Sequence, residues 1–335
     1  MTYYAGIDLH SNNHVLVLID DNDKRVYEKR LPNSLDATLS ALAPFKEEIT
    51  SIAIESTFNW YWLVDGLEEH DYPVSLVNTA AVKQYEGLKY SGDHHDAFHL
   101  AHLSRLGILP TGYIYPKDQR AVRDLLRRRM QLVQLATKQI LSIQNQVWRS
   151  TGNRLSSNEI KKKDFNLSML TGHLYEAAQS NLLIYRELRK QIEQLEASAL
   201  KELEENNDYH LLRSMTGIGP ILAMTLLLET GDIKRFEQVG HYASYCRCVQ
   251  SLRESNGKKK GEGNAKSGNK YLSWAFSQVA HYAIRFEPKA KAFYERKRQK
   301  RNGIVATRAV AHKMARAVWH MLTKQQEYDV NKVFS

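Results

Sequence analysis

Residues 3–10 read Tyr3-Tyr4-Ala5-Gly6-Ile7-Asp8-Leu9-His10, a short apolar run with one carboxylate set inside it. The next run, His14 to Ile19, is rich in β-formers and closes on Asp20-Asp21-Asn22-Asp23, a turn signal. Lys24 to Leu31 can form a third strand after that turn. The chain therefore opens with a three-strand meander, and Asp8 lies within its first strand.

Working outward, Leu35, Leu39, Leu42 and Phe45 share one face of a helix. Ile49 to Ile54 is another β-branched run, and it ends at Glu55. Asn59 to His70 reads as a helix with Trp60, Leu63, Val64 and Leu67 inward, and Val74 to Val77 as a fifth strand. The order β-β-β-α-β-α-β, with acids in the first and fourth strands, is the layout of a ribonuclease-H-like (RuvC-like) fold. Adjacent parallel strands would set Asp8 and Glu55 side by side. Then comes Lys89-Tyr90-Ser91-Gly92-Asp93-His94-His95-Asp96-Ala97-Phe98-His99-Leu100. Asp93 and Asp96 are three apart and share a helix face, with Gly92 at the helix start.

For any one of these acids, a strand end or a helix cap is the plainer account. All four in this order, Asp8, Glu55, Asp93 and Asp96, suit a hard divalent cation, magnesium or manganese. Two such ions can clamp a phosphodiester. His95, His99 and His102 also fall on one helix face, with His94 beside them. Helical histidine spacing can bind zinc. No cysteine is near and the HExxH order is absent, so this side reads as polar and substrate-facing.

Composition bounds the partners. Hydrophobic residues make up 43% of the 335 and charged residues 25%, which is ordinary globular material. A net charge of +10 points to a polyanion. Cys246 and Cys248 are one residue apart, too close for a CxxC motif, which fits a reducing cytoplasm. The N-terminus lacks a signal-peptide pattern, and the run Ile221 to Leu228 is too short to span a bilayer. The expectation is a cytoplasmic protein with no membrane partner.

Three parts are expected: residues 1–115, a helical arm over 116–208, and a mostly helical region over 209–328. In the arm, Gln119 to Arg149 and Leu167 to Glu205 are long helical patterns joined by a polar tip. They read as a helical hairpin or coiled coil, or equally as a packed bundle core. The apolar stripe is Val122, Leu125, Leu126, Leu132, Leu135, Ile140 and Ile143 on one helix, and Leu183, Leu188, Ile192, Leu195 and Leu200 on the other. Arg127, Arg128 and Arg129 could run along a nucleic acid. In the last region, helix, then Gly217-Ile218-Gly219, then helix is the helix-hairpin-helix pattern, whose glycines let backbone N–H groups approach a phosphate. A tight turn without a ligand explains it equally well. Then comes Ser255-Asn256-Gly257-Lys258-Lys259-Lys260-Gly261-Glu262-Gly263-Asn264-Ala265-Lys266-Ser267-Gly268-Asn269-Lys270. Its composition fits a flexible basic loop, or a loop that holds a phosphate backbone and presents a serine to it.

The pattern GIDLH, AIEST, DHHDAFHLA, LRSMTGIGP and SNGKKKGEGNAKSGNKYL resembles the DEDD-type transposases of bacterial insertion-sequence family one-ten. More narrowly, it is similar to the subgroup sharing SNGKKKGxGNxKxGNKYL, and the resemblance runs from Tyr4 to about Lys324. It implies a RuvC-like domain whose Asp8, Glu55, Asp93 and Asp96 hold the metal, and a second domain whose catalytic serine falls on Ser255. Lys258, Lys259, Lys260, Lys266 and Lys270 would meet phosphate. It also implies RNA-guided recombination of donor and target DNA through a phosphoserine, a structured non-coding guide RNA, and homodimers that assemble into tetramers across which active sites combine. The protein would be nucleoid-associated when acting. Where family members often carry Lys-Thr or Lys-Ser before the third acid, this chain has Ser91-Gly92, which shifts attention to Lys89. The runner-up reading is a RuvC-like, magnesium-dependent, structure-specific DNA nuclease with no serine nucleophile. A third is a non-enzymatic nucleic-acid-binding protein.

Overall fold

A computed structural model describes residues 1–82, 92–249, 254–261 and 267–334. The chain divides into two compact units, Met1–Lys117 and Asp118–Ser335. The first boundary is within two residues of the expected one. The arm and the last region, expected as separate parts, belong to one unit.

The first unit is built on a five-stranded sheet in the order β3-β2-β1-β4-β5, where β1 is Tyr3–Leu9, β2 Asn13–Ile19, β3 Arg25–Pro32, β4 Ile49–Glu55 and β5 Val74–Val77. The meander is antiparallel, and β1 pairs with β4, and β4 with β5, in parallel. This is consistent with the ribonuclease-H-like layout. Helices α1 (Leu35–Leu42) and α2 (Tyr61–Glu68) follow β3 and β4, and the short α3 (Thr79–Val82) follows β5. Strand alternation splits β1 cleanly. Ala5, Ile7 and Leu9 join one apolar cluster with Leu42, Leu63 and Leu67. Tyr4, Gly6 and Asp8 take the other face, where α4 (Asp93–Arg105) packs its Ala97 and Ala101 against Val15 and Val17.

Gly6 sets how closely α4 approaches. A Cβ there would come within 2.0 Å of the Ala97 carbonyl oxygen and 2.8 Å of the Ala101 nitrogen. Both are backbone atoms and cannot rotate away. Gly6→Ala is expected to destabilise the first unit by about 2–3 kcal/mol or more. It would also push the start of α4 off β1. Thermal unfolding followed by circular dichroism checks this, and an unchanged midpoint would refute it.

In the second unit, α5 (Lys117–Thr151) and α7 (Gly172–Leu203) form the arm, with the one-turn α6 (Ser157–Ile160) near its tip. Leu132, Ala136, Ile140, Ile143 and Val147 pack against Ala178, Leu182, Tyr185 and Ile192, which makes a helical hairpin with its own apolar seam. Two residues read into the stripe from sequence, Leu135 and Leu183, are exposed. Their neighbours Ala136 and Leu182 take the inward places, a one-residue error in helical phase.

The rest is a helical core: α8 (Asn207–Arg213), α9 (Pro220–Thr230), α10 (Val239–Tyr245), α11 (Lys270–Phe286), α12 (Pro288–Lys300), α13 (Gly303–Lys324) and the short α14 (Val330–Val333). Helix α9 is its centre, buried from Leu222 to Leu226 and again from Leu228 to Thr230. No helix among the described residues is long and apolar enough to cross a membrane.

Candidate active site

The parallel register pairs Ile7 with Ile54, so the next step sets Asp8 beside Glu55. Both point to the α4 face. Gly92 caps α4 and puts Asp93 and Asp96 in its first turn, on the same side of the sheet. The structure therefore brings together four acids that the sequence spreads over most of the first unit.

Asp8 is only 4% exposed. Burial, together with a hydrogen bond and repulsion from Asp8, pushes the Glu55 carboxyl up to about 7, and the charge of Asp96 adds to this. The Arg30 guanidinium beside Asp93 holds its carboxyl below the usual carboxylate range, and His10 adds to this. His10 Nε2 lies 3.3 Å from Asp8 Oδ2 and 3.2 Å from Asp93 Oδ2, bridging the two acids. Asp8, His10 and Asp93 form a group with ligand atoms within 4.8 Å of one another. His10 was missed because a lone histidine two residues after an acid carries no spacing signal.

This donor set fits a hard divalent ion. It is oxygen-rich, and its strongest internal tension is like charge between Asp8 and Glu55, which a cation relieves. The α4 histidines take other roles. His102 and Arg105 both bind Asp23, at 2.7 Å and 2.6 Å. His95 and His99 stack on each other, and neither belongs to the candidate metal group.

Ser255 lies in a small hairpin rather than an unstructured loop. Glu254–Ser255 (β6) pairs antiparallel with Lys258–Lys259 (β7), in the register Ser255 to Lys258. Asn256 and Gly257, both at positive φ (54° and 68°), make the turn. An Asn-Gly pair at positive φ is what a two-residue hairpin turn favours. Residues directly opposite in such a pair project to one face, so Ser255 and Lys258 share it, both exposed. Lys260 and Lys270 are also exposed. Lys89 and Lys266 lie outside the described residues.

The end of this segment is firmly anchored. Asn269 caps α11 by accepting from the Tyr271 and Leu272 amides, and its Nδ2 donates to Glu229 Oε2 at 2.7 Å. Glu229 is 5% exposed and takes a two-pronged ion pair from Arg127, at 2.6 and 2.8 Å. Arg127 also lies over the Tyr271 ring. Arg129 pairs with Glu196 of α7. Arg127 ties α5 to α9, Arg129 ties the two arm helices together, and Arg128 reaches Gln131 on its own helix.

The glycine pair also divides. Gly217 has φ of 90° and its Cβ position lies 2.7 Å from the Tyr282 Cβ, so packing on α11 accounts for this glycine. Gly219 caps α9 ahead of Pro220, and nothing lies within 4 Å of its Cβ position, so its backbone stays approachable.

Two families match the chain. One, described as "Transposase IS116/IS110/IS902 family", matches residues 209–295. The other, a "Transposase" family of the DEDD IS110 type, matches residues 5–150. Among similar proteins, the "Transposase for insertion sequence element IS1111A" of Coxiella burnetii is 24% identical, over 96% of this chain and 90% of its own. A "Probable family 20 transposase" of Pseudomonas aeruginosa is also 24% identical, over 83% and 85%. An IS110 insertion-element protein of Streptomyces coelicolor is 31% identical, over 31% of this chain and 26% of its own.

Proposed function

We propose that this chain is an insertion-sequence transposase of the IS110 family, as its matches to that family support, and that it cuts and rejoins DNA strands through a phosphoserine at Ser255. The observation that carries the serine assignment is the Ser255–Lys258 hairpin, which holds an exposed hydroxyl and an ammonium on one face. In the cleavage step the Ser255 Oγ–P bond forms and one P–O ester bond of the strand breaks. The serine proton ends on the leaving hydroxyl. Rejoining reverses this with a hydroxyl from another strand end, so no bond energy is lost to water. Lys258 would offset charge on the phosphate as it is attacked.

The family implies divalent metal use, and Asp8, Glu55, Asp93 and Asp96 would hold magnesium or manganese. Such an ion, once bound, withdraws charge from a phosphate oxygen. Arg30, and then His10, hold the Asp93 carboxyl below its usual range, and His10 bridges Asp8 and Asp93. The target would be chosen by a structured guide RNA, for which the excess of positive charge is the support in the chain. Exposed Leu141, Leu183 and Ile184 on the arm support self-association into dimers and then tetramers. The hydrolytic nuclease reading is not favoured, since it leaves the serine hairpin without a use.

The test is adduct trapping. Purified protein incubated with element-end DNA and magnesium, then denatured in detergent, should yield a covalent protein–DNA band. Ser255→Ala should yield none, a loss of about 10³-fold or more. An adduct formed by that variant would sink the serine assignment, and nicking that survives it would restore the nuclease reading.

A further inference from the structure

Helix α13 carries Arg308, His312, Arg316, His320 and Lys324 at an unbroken spacing of four. Residues four apart are neighbours on a helix surface and each step turns ~40°, so these make a row that winds across its solvent side. At ~1.5 Å per residue the row is ~24 Å long. Four of the five are exposed, and His312 is half-buried. The opposite side of the helix, with Val310, Met314, Val318 and Met321, is buried in the core. Like charges at this spacing weaken a helix.

Acids do not answer the row. The ion pairs nearby are Arg298–Glu295 and Lys332–Asp329, and none of the five meets a carboxylate among the described residues. Arg308 instead reaches Ser273 and the Arg247 carbonyl. Beside the row, burial and then the cations of Arg316, Arg296 and Lys297 lower the Lys313 pKa. Burial and then Lys324 and Arg316 do the same to His320.

Two clefts border the row. One, of about 980 Å³, is lined by Arg308, His312 and Lys313 together with Ser267 and Gly268, the end of the serine segment. The other, of about 500 Å³, is lined by Lys313, Arg316, His320 and Lys324. Lys313 belongs to both, so the cationic surface is continuous from the serine segment to the end of α13. Tyr328 lines the second cleft, and its buried hydroxyl has no hydrogen-bond partner among the described residues. Burial, with Glu287 and Asp329 nearby, raises its pKa, so it keeps a proton to donate. Glu327 and Asp329 also border this cleft, and Asp329 is occupied in capping α14.

We infer that the α13 row is a track for the phosphodiester backbone of one DNA strand, leading along the helix to the serine segment. An extended polyanion fits the row, which is long, regularly spaced, carries the cations Arg308, Arg316 and Lys324 and includes no acid. DNA is the polyanion a transposase handles. Arg316 and Lys324 contact phosphates directly, and the Tyr328 hydroxyl adds an uncharged donor from the cleft. The direction of the track rests on Ser255 being the nucleophile; the binding does not.

The test is fluorescence anisotropy of the full-length protein with a labelled single-stranded DNA oligonucleotide over a range of salt. Arg316→Gln, His320→Gln and Lys324→Gln combined should weaken binding roughly 10- to 30-fold at ~0.1 M salt. The log–log salt slope should become shallower by roughly 1.4, with ~0.7 for each of the two phosphates left without Arg316 and Lys324. All three side chains are exposed, so the unfolding midpoint should hold or rise. Were it to fall, Arg316→Gln alone gives the same reading on a smaller scale, one phosphate's share of the slope. An unchanged affinity and slope would overturn the track. Loss of binding to RNA of the same sequence, with DNA binding intact, would overturn the choice of DNA. Ser255→Ala should keep the full slope, so failure of the serine assignment and failure of the track show up separately.

Discussion

Asp8→Asn should cut strand cleavage by about 10³-fold or more while leaving the metal-free protein more stable than the wild type. The substitution keeps the size and shape of a side chain that is 4% exposed on β1. It removes the charge that faces Glu55. Burial and Asp8 together raise the Glu55 carboxyl from 4.5 to about 7. A carboxyl raised on folding binds more protons folded than unfolded. Its stabilising contribution is therefore present below pH 4.5 and is lost as pH rises through about 7. Glu55 is partly exposed, so solvent screening reduces the effect to on the order of 1 kcal/mol. With Asp8 neutral, the Glu55 shift shrinks and the loss of stability between those pH values flattens. Chemical denaturation in chelator at pH 5 and pH 8 measures the difference. Adding magnesium or manganese should then raise the wild-type midpoint and leave that of Asp8→Asn nearly unmoved. Equal metal shifts in both proteins would show that Asp8 is not a ligand.

The acids were legible because each sits where local pattern is strong. Asp8 lies within the first apolar strand, Glu55 ends a β-branched run, and Asp93 and Asp96 follow a helix cap. Strand order then supplies their meeting without any further information. The Asn256-Gly257 hairpin was also written in the sequence, but the glycines and lysines around it read as loop composition and hid a two-residue turn. The fate of Arg127 could not be read. Its partner Glu229 is 102 positions away on a helix whose own pattern is apolar throughout. Three adjacent arginines look like a patch in a sequence, yet a helix turns them to different sides, and tertiary packing chose two for internal pairs. Gly217 carries a similar ambiguity. A glycine fitted to a close neighbour and one fitted to a ligand look the same until α11 is in place.

The Arg127–Glu229–Asn269 cluster sets the stability of the second unit and the anchoring of its serine segment at once. Glu229→Ala would leave the Arg127 guanidinium and the Asn269 amide without their shared acceptor in a site where Glu229 and Asn269 are 5% and 9% exposed. Breaking a buried ion pair from one side costs about 3–5 kcal/mol, a large part of a domain's stability. Glu229→Gln keeps one acceptor oxygen and should cost less, about 1–2 kcal/mol. Arg127→Met with Glu229→Met removes both charges and should regain most of the loss, since apolar replacement of a buried pair is often neutral. The segment anchor separates these cases further. Asn269 accepts from the Tyr271 and Leu272 amides at one end of its side chain and is held by Glu229 at the other. Hydrogen exchange at those two amides should therefore quicken in Glu229→Ala and stay quick in the double methionine variant, even where the unfolding midpoint has recovered. If exchange there returns with the midpoint, the cluster only stabilises the fold. If it does not, Glu229 is what fixes the end of the serine segment to the arm.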